Sequence, residues 1–169
     1  RFADLQPAWS PDGRSIAFAT DRAAGPDSAG YGTDFQRLRY SQLRIAIFDL
    51  ASGQIHVLAG EPNAKHIDPQ YSADGKSLYY VSDRTGWWNL YRHADSGEEP
   101  LLPMEAEFGT PQWVFGMATY AFLGDERIAC AYTKDGMPRL GLLTPGAGTI
   151  EVLEVSRGPD GFSNLRAHG

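Results

Sequence analysis

The chain is poor in everything that would suggest a stapled, metal-bound or membrane-embedded protein. Among its 169 residues there is one cysteine, and no apolar stretch approaches the roughly 18 residues of a membrane span. With Cys130 alone, neither an intramolecular disulfide nor a cysteine-based zinc site can be built. Its setting, Ile128-Ala129-Cys130-Ala131-Tyr132, suits a buried, inert thiol better than a nucleophile. Positive charge is also scarce: the formal net charge is −6 and no long basic run occurs, so a nucleic-acid partner is not expected, since neutralising phosphates needs a positive face. The opening Arg1-Phe2-Ala3-Asp4 is no signal peptide and lacks an initiator Met, which suggests a piece of a longer protein.

Glycine and aromatics are abundant. Nineteen glycines and eleven prolines, dispersed rather than clustered, leave little room for long helices and punctuate short elements instead. Aromatics at 12% suit strands. The decisive feature is a repeat. Residues 7–22 (PAWSPDGRSIAFATDR) and 69–84 (PQYSADGKSLYYVSDR) match at a constant offset of 62, with Pro7/Pro69, Ser10/Ser72, Asp12/Asp74, Gly13/Gly75, Ser15/Ser77, Asp21/Asp83 and Arg22/Arg84 identical. Each copy predicts a hairpin. A strand ends at Trp9 or Tyr71, a Ser-Pro-Asp-Gly or Ser-Ala-Asp-Gly turn follows, and a second strand alternates Ile16 and Phe18 with Ala17 and Ala19.

A second hairpin follows each first one. In the first copy it runs from Leu43–Leu50 through Ala51-Ser52-Gly53 to Gln54–Leu58. In the second it runs from Trp88–Arg92 through Asp95-Ser96-Gly97 to Glu98–Leu102. Those glycines, Gly53 and Gly97, are 44 apart rather than 62, which places an 18-residue insertion between Arg22 and Leu43. A third copy is expected from Thr110-Pro111-Gln112-Trp113, with Trp113 42 residues beyond Tyr71. Its strands are expected over Thr119–Leu123, Arg127–Thr133, Arg139–Leu143 and Thr149–Leu153, with Gly136 and Gly148 in its turns. Ser163–Ala167 reads as the first strand of a fourth copy. Four antiparallel strands in units of roughly 40–45 residues describe the blades of a β-propeller. The expected fold is therefore all-β, a partial propeller forming one domain over residues 1–169. Its blades fall near 1–60, 61–104 and 105–158, and a further blade begins in 159–169.

The string Val81-Ser82-Asp83-Arg84-Thr85-Gly86-Trp87-Trp88-Asn89-Leu90-Tyr91-Arg92 resembles the propeller domain of the prolyl oligopeptidase family, in particular its acylaminoacyl-peptidase and dipeptidyl-aminopeptidase-like members. Met104–Gly116 (MEAEFGTPQWVFG) followed by Thr119-Tyr120-Ala121-Phe122-Leu123 extends the resemblance. The first copy, with Trp9-Ser10-Pro11-Asp12-Gly13 and Asp21-Arg22, is instead similar to the general TolB-like propeller repeat. The peptidase resemblance implies a propeller that caps an α/β-hydrolase domain and limits access of peptide substrates to a Ser-Asp-His triad. That second domain is absent from these residues. No G-x-S-x-G elbow occurs, and none of His56, His66, His93 and His168 has a sequence setting that suggests a triad base. The chain is expected to hold no catalytic residue and no cofactor. The TolB-like reading implies a scaffold for a protein partner, and three blades with open edges leave self-association as a further alternative.

Glu105 and Glu107 are the candidate substrate-binding residues. On an extended segment alternate residues face the same way, and the resemblance implies that two such carboxylates bind a substrate amino terminus. The plain alternatives are a solvated loop or an ion pair with Arg84 or Arg92. Asp12 and Asp74 lack the dense spacing of a calcium loop and read as turn residues, and His66 has no partner ligand at a useful spacing, so no metal site is expected. The Asp-Arg pairs (Asp21/Arg22 and Asp83/Arg84) are expected to tie blade edges together. Of Trp87, Trp88, Trp113, Phe115 and Tyr120, most are expected to fill the space between blades.

Overall fold

The computed structural model describes residues 4–22, 43–61, 63–111, 116–124, 126–154, 161–162 and 164–167. Among the described residues twelve strands form three four-stranded antiparallel sheets, each built from consecutive strands in chain order. The first blade holds β1 (Asp4–Trp9), β2 (Ser15–Thr20), β3 (Arg44–Asp49) and β4 (Ile55–Ala59). The second holds β5 (His66–Tyr71), β6 (Ser77–Ser82), β7 (Asn89–Ala94) and β8 (Gly97–Pro100). The third holds β9 (Tyr120–Phe122), β10 (Ile128–Lys134), β11 (Met137–Thr144) and β12 (Thr149–Leu153). Three blades of a partial β-propeller result, as the repeat predicts. The inserted segment, Trp113 and Phe115 lie outside the described residues.

Local chemistry explains the hairpins. In the first turn the Gly13 N–H donates to the Ser10 carbonyl at 2.9 Å, and Asp12 Oδ1 accepts from Ser10 Oγ at 2.7 Å and from the Arg14 N–H at 3.0 Å. The second turn repeats this with Gly75, Ser72, Asp74 and Lys76 at 2.9, 2.7 and 3.1 Å. Gly13 and Gly75 sit at φ of 70° and 72°, a region costly for any residue with a Cβ. The hydrogen bonds from Ser10 and Ser72 hold the Asp12 and Asp74 carboxyls below their ordinary range. Both aspartates are turn residues. In the third blade Lys134 pairs with Met137, leaving the two-residue loop Asp135-Gly136 at φ of 53° and 74°. That is the Asp-Gly signature of a type I′ hairpin.

The third blade corrects the alignment expected from Trp113. Tyr71 pairs with Leu78 across the first hairpin of blade two, and Phe122 pairs with Ile128 across that of blade three. Phe122, not Trp113, therefore stands where Tyr71 does. The Leu123–Arg127 turn carries no Ser-x-Asp-Gly signature, and the resemblance of Pro111-Gln112-Trp113 to Pro69-Gln70-Tyr71 is therefore no guide to the strand end. Similarly, residues 164–167 form no strand, although the Leu165 N–H donates to the Ala118 carbonyl at 2.9 Å and places them beside the approach to β9.

Blades pack through the two faces of their second strands. On β6, Leu78 and Tyr80 join Ala17, Ala19 and Ile45 of blade one, while Tyr79 and Val81 join Tyr120, Ile128, Cys130 and Tyr132 of blade three. Both faces of β6 are thus covered, and all of Leu78–Ser82 is buried. Trp88 and Tyr120 pack in the second of these clusters, as expected of inter-blade aromatics, but Trp87 is 39% exposed. Gly109 is fitted to Trp88: a Cβ there would meet the indole ring at 2.8 Å. Gly109→Ala should therefore lower stability by roughly 1–3 kcal/mol, the usual cost of overpacking, read as a reduced urea midpoint with unchanged slope.

Candidate functional site

The first strands of blades one and two each carry a conformational irregularity. The β1–β2 pairing shifts register between Leu5 and Ala8, and the β5–β6 pairing shifts between Ile67 and Gln70. At the centre of each bulge is a residue in the left-handed region just before a proline: Gln6 at φ 53° and Asp68 at φ 52°. They are 62 positions apart, the repeat offset. Their side chains run from blade to blade. Gln6 Oε1 accepts the Asp68 N–H at 2.8 Å, and Asp68 Oδ2 accepts the Thr119 N–H at 3.2 Å. Thr119 lies on the approach to β9, where its carbonyl accepts the Ala131 N–H at 2.7 Å. The Tyr120 hydroxyl donates to the Asp68 carbonyl at 2.7 Å, and Gln70 Nε2 bridges Asp68 Oδ1 and the Tyr120 carbonyl at 3.3 and 3.1 Å.

This seam forms the wall of a groove of about 820 Å³. Pro7, Ala8, Pro69, Ala118, Phe122 and Leu165 make its surface largely apolar, and Asp4, Gln6, Asp68, Gln70 and Arg166 supply its polar groups. An apolar concavity of that size with a few convergent polar groups has the character of a ligand site. Burial pushes the Asp68 carboxyl up to about 6, against the opposing pull of the Thr119 N–H, the Gln70 amide and the Arg166 charge. Neither Gln6 nor Asp68 stands out as a candidate when the sequence is read for chemistry. The usable signal was that both precede a proline at the same place in the repeat.

Glu105 and Glu107 are not presented as an extended pair. The Ala106 N–H donates to the Met104 carbonyl at 2.9 Å, so Glu105 is the apex of a γ-turn. Glu105 is exposed, whereas Glu107 is half-buried and its Oε2 accepts the Trp88 N–H at 3.1 Å. The Glu107 backbone also exchanges hydrogen bonds of 2.8 and 2.9 Å with Thr133. Glu107 thus links blades two and three. Arg92 pairs with Glu99 and Arg84 with Glu61 and Glu98, so these arginines serve other carboxylates.

The contacts of Arg22, Asp83 and Arg84 run within a blade or to the linker before it, rather than between blade edges as expected. Asp83 Oδ1 accepts the Lys65 N–H at 2.6 Å at the entry to β5. Arg84 reaches Glu61 Oε1 at 2.6 Å, the Tyr80 hydroxyl at 2.8 Å and Glu98, and lies 4.0 Å from the Tyr91 ring centroid. Against the effect of its own burial, hydrogen bonds from Arg84 and Tyr80 hold the Glu98 carboxyl below its usual range. In blade one, Arg22 pairs with Asp4 at 2.6 Å. The repeat counterpart of Asp4 is His66, fully buried, with Nδ1 3.5 Å from Arg84 and Nε2 in close contact with Glu61 Oε2 at 3.0 Å. Burial, then the neighbouring Arg84 charge, pushes His66 down to about 4. The ring is neutral at physiological pH. Cys130 is buried and its thiol is pushed up to about 12 by desolvation, the inert group its setting predicted.

The fold defines a propeller portion, and comparison with solved structures narrows the class. A Mycobacterium tuberculosis puromycin-hydrolysing peptidase is similar at 28% identity and a TM-score of 0.73, over 91% of this chain and 22% of that one. A puromycin hydrolase is similar at 28% identity and a TM-score of 0.72, over 90% and 22% respectively. These neighbours are peptidases of the prolyl oligopeptidase family. TolB from Acinetobacter baumannii, at 20% identity and a TM-score of 0.57 over 88% of this chain, shares the fold. This chain spans about a fifth of the peptidases' length, 22%. No family model and no curated protein matches it.

Two outcomes test the Arg84–His66 cluster. Arg84→Lys should cost about 1–2 kcal/mol, because an ammonium cannot fork between Glu61, Glu98 and Tyr80 while stacking on Tyr91; equal urea midpoints for the two proteins would refute this. His66, with its folded pKa depressed from 6.5 to about 4, takes up a proton more readily when unfolded. Its contribution to stability is therefore present above pH 6.5 and is lost as pH falls toward 4. His66→Gln should flatten that acid limb in denaturation measured from pH 7 to pH 4.

Proposed function

We propose that this chain is the non-catalytic propeller portion of a serine peptidase and that it governs which peptides reach an α/β-hydrolase domain elsewhere in the longer protein. The observation that carries this reading is the likeness to puromycin-hydrolysing peptidases at 28% identity over nine-tenths of the chain. The groove along the first strands of all three blades supports it, because a wall of closed hydrogen-bonded strands excludes folded proteins by size and leaves room for short extended segments. Selection is steric in this mechanism, and the propeller performs no bond cleavage.

Glu105 is the carboxylate best placed to meet a substrate's free amino group, since it is exposed at a turn apex. Glu107 then acts through its hold on Trp88, which fixes the segment that carries Glu105. In the longer protein, Glu105→Gln should raise KM about tenfold for substrates with a free amino terminus, equivalent to about 1.4 kcal/mol, and leave their N-acetylated forms unaffected. Equal KM changes for both substrate sets would remove Glu105 from the binding site.

The reading as a whole is tested by the coding sequence beyond Gly169. An α/β-hydrolase domain with a G-x-S-x-G elbow is expected there. A reading frame without that elbow overturns the peptidase assignment, and one that ends after the last blade behind an export signal favours a TolB-like scaffold for a protein partner. A serine-directed activity probe applied to the 169-residue chain should label nothing, and labelling of any serine would overturn the non-catalytic role.

A further inference from the structure

Equivalent positions on the first strands of blades one and two hold the groove-side seam, but with different chemistry. At the junction of blades one and two the acceptor is the Gln6 amide oxygen, which carries no charge at any physiological pH. At the junction of blades two and three it is the Asp68 carboxylate, buried to 6% exposure. The groups around Asp68 can be named element by element. From its own strand come Gln70, which bonds Oδ1, and His66, two residues earlier. From β1 and its groove-side run come Gln6 and Asp4, and from the approach to β9 come the Thr119 N–H and the Tyr120 hydroxyl. From the C-terminal segment comes Arg166, whose hydrogen bonds go to the Leu165 and Gly116 carbonyls rather than to the carboxylate. Among the described residues Asp68 thus has one backbone N–H, one side-chain amide and a distant cation to offset its desolvation.

We infer that the seam between blades two and three is a charge-sensitive joint of the groove wall, closed when Asp68 is protonated and loosened when it ionises, whereas the seam between blades one and two is indifferent to pH. A buried carboxylate with so few donors regains hydration most readily by separating from its neighbours. The Thr119 N–H favours the charged form, but at 3.2 Å it does not offset the cost of desolvation, which is the larger effect. The direction agrees with linkage. The folded-state pKa of about 6 lies above the ordinary 3.8, so the folded chain binds this proton more tightly than the unfolded chain. The Asp68 contribution to stability is thus greatest below pH 4 and declines as pH rises to 6. This is opposite in sign to the His66 effect over the same range, so only a variant at position 68 separates the two. The consequence is a groove whose wall widens at one junction, beside Pro69, Ala118 and Phe122, as pH rises through 6.

The test is amide exchange and NMR titration of the 169-residue chain between pH 4.5 and 7.5, with intrinsic exchange rates divided out. Thr119 protection should fall at least about tenfold across pH 6, one pKa unit being worth that factor, and its amide shift should inflect there. The Thr133 amide, bonded to Glu107 across the same pair of blades, should show no inflection, because the loosening is confined to the groove side. Asp68→Asn keeps an acceptor for the Thr119 N–H and removes the charge, so it should abolish the Thr119 transition. It should also be more stable than the wild type at pH 7 relative to pH 4. Thr119 protection that is flat in the wild type overturns the inference, as does a transition that persists in Asp68→Asn. Should that variant not fold, the wild-type Thr119 titration decides alone, and absence of an inflection near pH 6 rejects the joint.

Discussion

Large side chains of one blade pressing on small ones of the next are the constraint on which the rest of this structure depends. Leu78 and Tyr80 of β6 can lie against blade one only because β2 offers Ala17 and Ala19, both with no exposure, at the matching positions. Close approach of the sheets then brings Tyr71 within 3.0 Å of Ser15 and lets Gln6 reach the Asp68 amide. Substituting bulk at Ala17 would separate the blades and break both contacts together. Dense packing makes the interior intolerant in this way, and it is why the polar seam of the groove inherits its geometry from apolar contacts some distance away.

The inner strands show what that packing costs locally. Gln6 and Asp68 adopt a left-handed backbone that non-glycine residues seldom occupy, each directly before a proline. Each is stabilised by the hydrogen bond that its conformation permits to the next blade. Strain of this kind persists where the surroundings over-determine it and often marks a functional region. Here it lines the groove.

The hairpins were legible in the sequence because their causes are local. Ser10-Pro11-Asp12-Gly13 and Ser72-Ala73-Asp74-Gly75 dictate the same bonds wherever they occur, and Thr149–Leu153 was read to the residue. All four strands of the third blade are legible too, but the equivalence of Trp113 with Tyr71 is not, since its Leu123–Arg127 turn closes without the aspartate and glycine that announce the others. The spacing of Glu105 and Glu107 predicts one extended pair, but the γ-turn at Glu105 and the Trp88 N–H held by Glu107 place the two side chains in different settings. Period-two alternation was visible at Ile16–Ala19. Which face would be covered was not, and the smaller residues proved to be the fully buried ones.

The sequence by itself determined the repeat, the four-stranded unit, the turn chemistry and the inert character of Cys130, because each depends on neighbours within a few residues or on a pattern repeated along the chain. Tertiary structure alone decided that Asp68 and Thr119, 51 positions apart, share a hydrogen bond, that a buried histidine stands where blade one has Asp4, and that Arg84 serves two carboxylates and a tyrosine at once. Those arrangements depend on how far one sheet sits from the next and on what water is excluded between them. No single stretch of residues encodes either quantity.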